Sequence, residues 1–523
     1  MAELRRQYRH RPALYALIAA AMGCVGASGG DAGVAASLQE VYDAAYARLT
    51  HVRDDRKQRL LDFCNGMHAL ATRAGADPVL RDFFRLKQEY YRLQQEAPPP
   101  ADAVRAIDEY KATIDSYYLE NYRQFYDILF VGRAGDVFYT IRKEAEYQRN
   151  LLSGELAQTH LARLLREQPQ GAFVDFQYFF PSDEPAAFFV QPVLADGEHL
   201  GWLILQCAIN KINSIFAGSD ELGATGEVFL VNKEQYMLTQ SRFIGQSTIL
   251  SMHLNPDNIR TKFAERAGNR IITDYRGCRA LSSFDVFRFL SSEWLIIAKI
   301  DEAEVLTDHF REHQAEYLPP LLARAAQPAP PGGPCAAPAP RLLKVDMDEF
   351  VKAQAGEALQ TRGVSTCTAL IAAYPRRFAY LAHISPFDRV YGEGSTDLLG
   401  HIVKNIKTYD IYKYERRHVR FVVVARDAQT LPAVLEELLH EGFLLSQVDV
   451  VYNPAAQRAD VTYDYVADQL CVSWRAVGTE AGVIETSTAG YNLGAVLRQL
   501  MEADSASRAG GGAAGGTGAP ASR

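Results

Sequence analysis

Residues 221–243 read ELGATGEVFLVNKEQYMLTQSRF. Gly223, Thr225 and Gly226 form a turn cluster, and an apolar run follows from Val228 to Val231. A polar break at Asn232–Gln235 separates it from a second run, Tyr236 to Thr239. Two short strands around a polar turn predict a hairpin. Working outward, VDFQYFF, AAFFVQPVL and GWLILQCAI read as three sheet strands linked by PSDEP and ADGEHL, with a short helix over 210–217. Earlier still, ILFVGRAGDVFYTI reads as two strands around Gly132–Asp136. Residues 36–130 are helix-rich, with Leu38, Val41, Ala45 and Leu49 recurring at spacings of three and four. A break at Pro98–Pro100 precedes a second helix over 101–123. Downstream, RIITDYRGCRALSSF and EWLIIAKIDEAEV close the region with further strands.

The 523 residues suffice for two or three domains, each with its own core. A hydrophobic fraction of 48% and a charged fraction of 23% describe an ordinary folded chain. The formal charge is −8, and the first thirty residues carry +3 through four arginines against Glu3, so the remainder stands at −11. An acidic body repels phosphate backbones, which excludes nucleic acid as a partner. Residues 1–30 have the form of a signal peptide or N-terminal anchor: RRQYRHR, then an uncharged run from Pro12 to Gly30. Val25 and Ala27 suit a signal-peptidase cut, Ala21-Met22-Gly23-Cys24 is a degenerate lipoprotein box, and retention as an anchor stays open. No later segment is apolar enough to span a bilayer, so an extracytoplasmic, periplasmic location is expected for all that follows. Seven cysteines are scattered without a CxxC. No metal site and no cofactor are expected.

The wording G-x-T-G-E-V-F-L-V-N … M-L-T-Q-S-R-F resembles the double Cache domains of bacterial extracytoplasmic sensors. So do Asp136-Val137-Phe138-Tyr139-Thr140 … Lys143-Glu144 … Asn150-Leu151 … Gly154, and the closing W-x-x-x-A-x-I-D-E-x-E from Trp294 to Glu304. The resemblance covers 36–310. It implies an α+β fold, in which a long N-terminal helix carries two PAS-like antiparallel-sheet modules, a distal one over about 125–215 and a proximal one over about 220–305. It also implies a ligand against the distal sheet, where Tyr139, Lys143, Asp175, Tyr178 and Phe188 have suitable character. A carboxylate and a cation between aromatic walls suit a small polar or zwitterionic ligand. Signalling through a membrane-bound partner and a homodimer formed through the long helix are further implications.

Residues 318–341, LPPLLARAAQPAPPGGPCAAPAP and the arginine after it, read as a Pro/Ala-rich linker. Residues 342–503 mix strand-like and helical runs, which predicts a separate α/β sandwich domain. Residues 504–523 read as a disordered Gly/Ala/Ser tail. Within the sandwich, Cys367 opens a strand just after the Gly363–Ser365 turn, and His383 ends the next strand. A neutral imidazole returned alongside the cysteine could take its proton. Thr361, Cys367 and His383 resemble the CheD family of chemotaxis glutamine deamidases. That resemblance implies Cys367 as nucleophile, His383 as base and Thr361 as its orienting group. Ser365-Thr366-Cys367 stands where the family has Gly-Ser-Cys, and His383-Ile384-Ser385-Pro386 where it has His-Phe-x-Leu-Pro. Two functions are therefore expected: a Cache-based sensor, or a Cys–His amidohydrolase regulated by the Cache half.

Overall fold

Apolar positions at spacings of three and four, among them Leu49, Val52, Leu60, Cys64, Met67 and Ala71, form one buried stripe along helix α1 (Leu38–Ala76). The computed structural model describes residues 37–511 apart from 97, 99, 169, 196, 219, 327–340, 355, 387–396, 429, 466, 477–482 and 488–490. The segment read as a signal peptide or anchor, most of the Pro/Ala-rich stretch and the last twelve residues fall outside that set. The chain forms two compact units, Tyr46–Ile300 and the remaining described residues. The fold is α+β, with a long N-terminal helix and predominantly antiparallel sheets.

In the first unit the expected helical region is three helices. Asp77 breaks the chain between α1 and α2 (Pro78–Glu96), and its Oδ1 accepts from the Val79 and Leu80 amides. Its Oδ2 accepts from the Tyr117 and Tyr122 hydroxyls at 2.9 and 2.6 Å, tying the corner to α3 (Ala101–Asn121) and the residue after it. The first sheet comprises β1 (Asp127–Gly132), β2 (Val137–Thr140), β3 (Ala172–Phe179), β4 (Glu184–Ala195) and β5 (Glu198–Ala208), in the order β2-β1-β5-β4-β3. Strand alternation splits its residues between two cores. Phe130, Phe138 and Tyr139 meet Phe83 and Phe84 of α2, whereas Leu129, Val131, Phe188 and Ile204 pack with Leu161 and Leu165 of α4 (His160–Glu167).

The helix α5 (Ile209–Phe216) leads to a second sheet: β6 (Glu227–Val231), β7 (Ala267–Thr273), β8 (Arg279–Phe289) and β9 (Ser292–Asp301), ordered β6-β9-β8-β7. Helix α6 (Pro256–Glu265) precedes β7, and Asn255 caps it. The first arm of the expected 228–239 hairpin forms as β6. The second arm is reduced to one bridge, Val231 to Met237, because Met237 exchanges its backbone bonds with Met252 and Leu250. The Thr239 hydroxyl accepts from the Leu230 amide in place of a ladder bond. Buried Lys299 lies 2.6 Å from Asp274 and 3.4 Å from Glu227, joining β9, β6 and the turn after β7.

The second unit includes α7 (Glu302–Glu312) and α8 (Gln314–Ala325), so residues 318–325, read as linker, are helical, with Leu318, Leu321 and Leu322 buried. Two sheets then stack. One is β10 (Arg341–Lys344), β12 (Glu357–Val364), β17 (Ala456–Asp464), β18 (Gln469–Ala476) and β19 (Val483–Ser487). The other runs β11 (Phe350–Ala353), β14 (Phe378–Ile384), β13 (Thr368–Tyr374), β15 (Arg420–Ala425), β16 (Val448–Tyr452), β20 (Tyr491–Asn492). Leu359, Val461 and Val472 from one sheet pack against Ile371, Leu381 and Val424 from the other. Helices α9 (Leu398–Asn405), α10 (Leu431–His440) and α11 (Leu493–Gly511) complete the unit. Residues 504–511, assigned to the tail, thus continue α11.

The first sheet has a backbone contact that admits no side chain. Gly201 pairs with Gly132 at φ +149°, and a Cβ there would stand 2.1 Å from the Val131 carbonyl oxygen. Gly201→Ala is expected to destabilise the chain by about 2–3 kcal/mol or more. Gly197→Ala, at φ +82° in open space, should cost distinctly less. Denaturant unfolding of both variants checks the order.

Candidate functional site

Thr361 Oγ1 has a single hydrogen, and its neighbours fix where it goes. It lies 2.8 Å from the Val345 carbonyl oxygen, which can only accept, so the hydroxyl donates there. The same oxygen lies 2.7 Å from His383 Nδ1, and it must meet that nitrogen as acceptor. Nδ1 therefore carries the ring proton and Nε2 keeps its lone pair. Nε2 is buried and has no hydrogen-bond partner. The arrangement is a neutral imidazole locked in one tautomer with its basic nitrogen free.

The elements that build it are strands from both sheets of the sandwich. Thr361 is on β12, His383 on β14, and Cys367 immediately precedes β13. Ala369 is the register partner of His383, so Cys367 and His383 are diagonal neighbours on one face. Diagonal neighbours across an antiparallel pair lie about 7–8 Å apart at the backbone, within reach of aromatic side chains. Cys367 is 6% and His383 4% exposed. Burial pushes the Cys367 thiol above its ordinary value near 9 and pushes His383 down, with the Asp348 and Asp346 carboxylates opposing the second shift. The resting pair is thus thiol and neutral imidazole, not thiolate and imidazolium. The Cys367 sulfur is 4.0 Å from the thioether of Met347, a side chain 60% exposed, which covers the thiol from solvent.

The structure places Thr361 against His383, whereas Cys367 is packed in the apolar core between the sheets and its sulfur is not a hydrogen-bond partner of His383 Nε2. Two participants had no sequence signal: the Val345 carbonyl, which any residue would supply, and Met347, which is unremarkable in VDMDEF. Asp348 is a third. Its amide donates to the His383 carbonyl at 2.8 Å, and its Oδ1 accepts from the Ser385 amide at 3.0 Å, fixing the end of β14.

The five residues expected to line a ligand site in the first unit are distributed over several places. Tyr139 faces α2 and α3, with its ring against Phe83 and its hydroxyl donating to Asp115. Lys143 lies near it, the ammonium 5.9 Å from the Tyr139 ring centre. Phe188 is on the opposite sheet face against Phe179. Asp175 is half-buried, accepts from the Trp294 indole at 2.9 Å and is pushed up to about 6 by desolvation. Tyr178 is exposed and contacts Asp183. Alternation along β3 and β4 is the cause, since it sends neighbouring residues to opposite faces.

No protein-family model matches the sequence, and no curated protein matches it. Solved structures similar to parts of it are sensory domains. The periplasmic sensory domain of the Campylobacter jejuni chemoreceptor Tlp1 aligns over 51% of this chain and 98% of its own, at 12% identity and a TM-score of 0.34. The sensor domain of the Vibrio cholerae histidine kinase DctB covers 50% and 97%, at 11% identity and TM-score 0.33. The ligand-binding domain of the Pseudomonas fluorescens chemoreceptor CtaA in complex with L-serine covers 50% and 98%, at 10% identity and TM-score 0.31. Among the described residues no helix is long and apolar enough to cross a membrane.

A neutral, covered thiol makes a specific reactivity pattern. Site-resolved alkylation of Cys367 by iodoacetamide, read by mass spectrometry, should be slow at neutral pH and still climbing through pH 9, because the thiolate appears only above the raised value. A plateau below neutrality would instead signal a preformed ion pair. Met347→Ala should accelerate labelling about tenfold at any one pH by opening the approach to sulfur.

Proposed function

We propose that the C-terminal sandwich is a cysteine amidohydrolase acting on side-chain carboxamides, and that the N-terminal half is a small-molecule sensor of the double Cache kind that regulates it. The single observation that carries the enzymatic reading is the Val345–Thr361–His383 chain of hydrogen bonds, which leaves Nε2 without a hydrogen-bond partner on the sheet face that Cys367 shares. A buried ring nitrogen without a partner also occurs at His68 and His199, so the reading rests on the Thr361 bond at Nδ1 together with the sheet face shared with Cys367.

The chemistry follows from the protonation state. As the Cys367 sulfur attacks a carboxamide carbon, His383 Nε2 takes the thiol proton, and Thr361 holds the imidazolium through Nδ1. The imidazolium then gives that proton to the departing amide nitrogen, which leaves as ammonia and a thioester remains. Water attacks the thioester while Nε2 takes a proton from it and returns one to sulfur. Carboxamide and water become carboxylate and ammonium. The likeness of Thr361, Cys367 and His383 to the glutamine deamidases favours a protein glutamine as the carboxamide. The basic N-terminal segment and a disulfide at Cys471 support an exported enzyme that meets its substrate outside the cytoplasm.

The sensor reading has its own support. The first unit has the helix, the two antiparallel sheets and the element order that the double Cache resemblance implies.

Ammonia release from glutamine-containing protein substrates tests the enzyme. Cys367→Ala should abolish it, and His383→Gln should lower kcat about 10²–10⁴-fold. Thr361→Val should lower kcat with little change in KM and should shift the pH profile, since the tautomer is no longer imposed. Undiminished ammonia release by Cys367→Ala would end the proposal.

A further inference from the structure

The turn that carries Met347 is clamped from two sides. The Glu349 amide donates to the Asp346 carbonyl at 3.2 Å, closing a β-turn with Met347 and Asp348 at its centre. Asp348 takes φ +60°, in the left-handed range that the second central position of a type II turn requires. Towards β12, the Val345 amide donates to the Gln360 carbonyl at 2.8 Å, and the Val345 carbonyl accepts from the Thr361 hydroxyl. Towards β14, the Asp348 amide donates to the His383 carbonyl at 2.8 Å and the His383 amide to the Glu349 carbonyl at 3.1 Å. The Asp348 carboxylate also accepts from the Ser385 amide. The tip of this fixed turn brings the Met347 sulfur to 4.0 Å from the Cys367 sulfur.

The two sulfurs differ in what can reach them. Met347 is 60% exposed and Cys367 is buried. Among the other described methionines, Met67, Met237 and Met501 are buried and Met252 is partly buried, so Met347 is the most open thioether. A thiol reacts with electrophilic oxygen as its thiolate, and burial favours the protonated form of Cys367. A thioether needs no deprotonation, because its lone pair is available at every pH. An oxidant arriving at this face therefore meets a reactive sulfur at Met347 first.

We propose that Met347 is a modification site, at which a peroxide converts the thioether to the sulfoxide and thereby uncovers Cys367. The Met347 sulfur lone pair attacks one peroxide oxygen and the O–O bond breaks. The other oxygen leaves as water with both hydrogens, so sulfur loses two electrons and the peroxide gains them. The new sulfoxide oxygen is a strong acceptor that its neighbours do not hold in place. Asp346, Asp348 and Glu349 bring carboxylates, which accept, and the thiol is a weak donor. Cys367 otherwise packs among apolar side chains, including Val345 and Val364. An oxygen without a donor is costly there, whereas water lies on the exposed side of Met347. The oxidised side chain turns outward and leaves the thiol open. The proposal concerns access to sulfur, so it stands or falls independently of the amidohydrolase reading.

The full-length chain, treated with hydrogen peroxide at neutral pH and mapped by peptide mass spectrometry, tests it. Met347 should gain one oxygen at least about tenfold faster than Met252, while Cys367 remains a thiol. Iodoacetamide should then label Cys367 about tenfold faster than in the untreated chain, and methionine sulfoxide reductase should restore the slow rate. Cys64 and Cys207, both buried, should stay unlabelled throughout and so report an intact fold. Met347→Leu, an apolar side chain of similar size without sulfur, should label slowly with or without peroxide. Met347→Gln, which carries an acceptor oxygen from the start, should label fast without it. Oxidation of Cys367 or Met252 ahead of Met347 would overturn the assignment. So would a sulfoxide at Met347 that leaves Cys367 labelling unchanged, or labelling of Cys64 and Cys207 alongside it.

Discussion

One hydroxyl hydrogen, that of Thr361, organises the chemistry of the C-terminal sandwich. It has two neighbours, a carbonyl oxygen and a ring nitrogen, and the carbonyl can only accept. That asymmetry settles which nitrogen of His383 is protonated, and so which is a base. The strands on which this depends belong to both stacked sheets, so the tautomer is fixed by the packing of one sheet on the other. A sandwich loose enough to let Thr361 drift would leave the imidazole free to flip and the thiol without a defined acceptor.

Burial then sets the resting state. The same low-polarity surroundings that raise the thiol and lower the imidazole favour the neutral form of each. Met347 adds a steric restraint to the electrostatic one. A nucleophile held in this way suits an enzyme whose action is regulated, since exposure of sulfur and proton transfer both require a bound substrate or a moved cover.

Unsatisfied buried groups occur in both halves of the chain. The free Nε2 of His383 carries a desolvation cost that no hydrogen bond offsets. Other buried atoms without a partner include His68 Nδ1, His199 Nε2 and Ser385 Oγ, while some buried or half-buried charges are paired. Lys299 has Asp274 and Glu227, and Asp175 has the Trp294 indole.

Element order, the existence of nearly every strand and the strands that carry Thr361 and His383 were legible in the sequence, because strand runs are local and periodicity reports them directly. The missing second arm of the 228–239 hairpin was not, since its backbone partners come from residues 250 and 252. Nor was the ligand set of the first unit: Tyr139 and Phe188 both suit a pocket wall by composition, but the pleat sends them to opposite faces of the sheet. Sequence alone determined which residues could do chemistry and on which strands they lie. Tertiary structure alone decided which polar atoms lost water without gaining a partner, because desolvation depends on every element that closes around an atom, not on its neighbours in the chain.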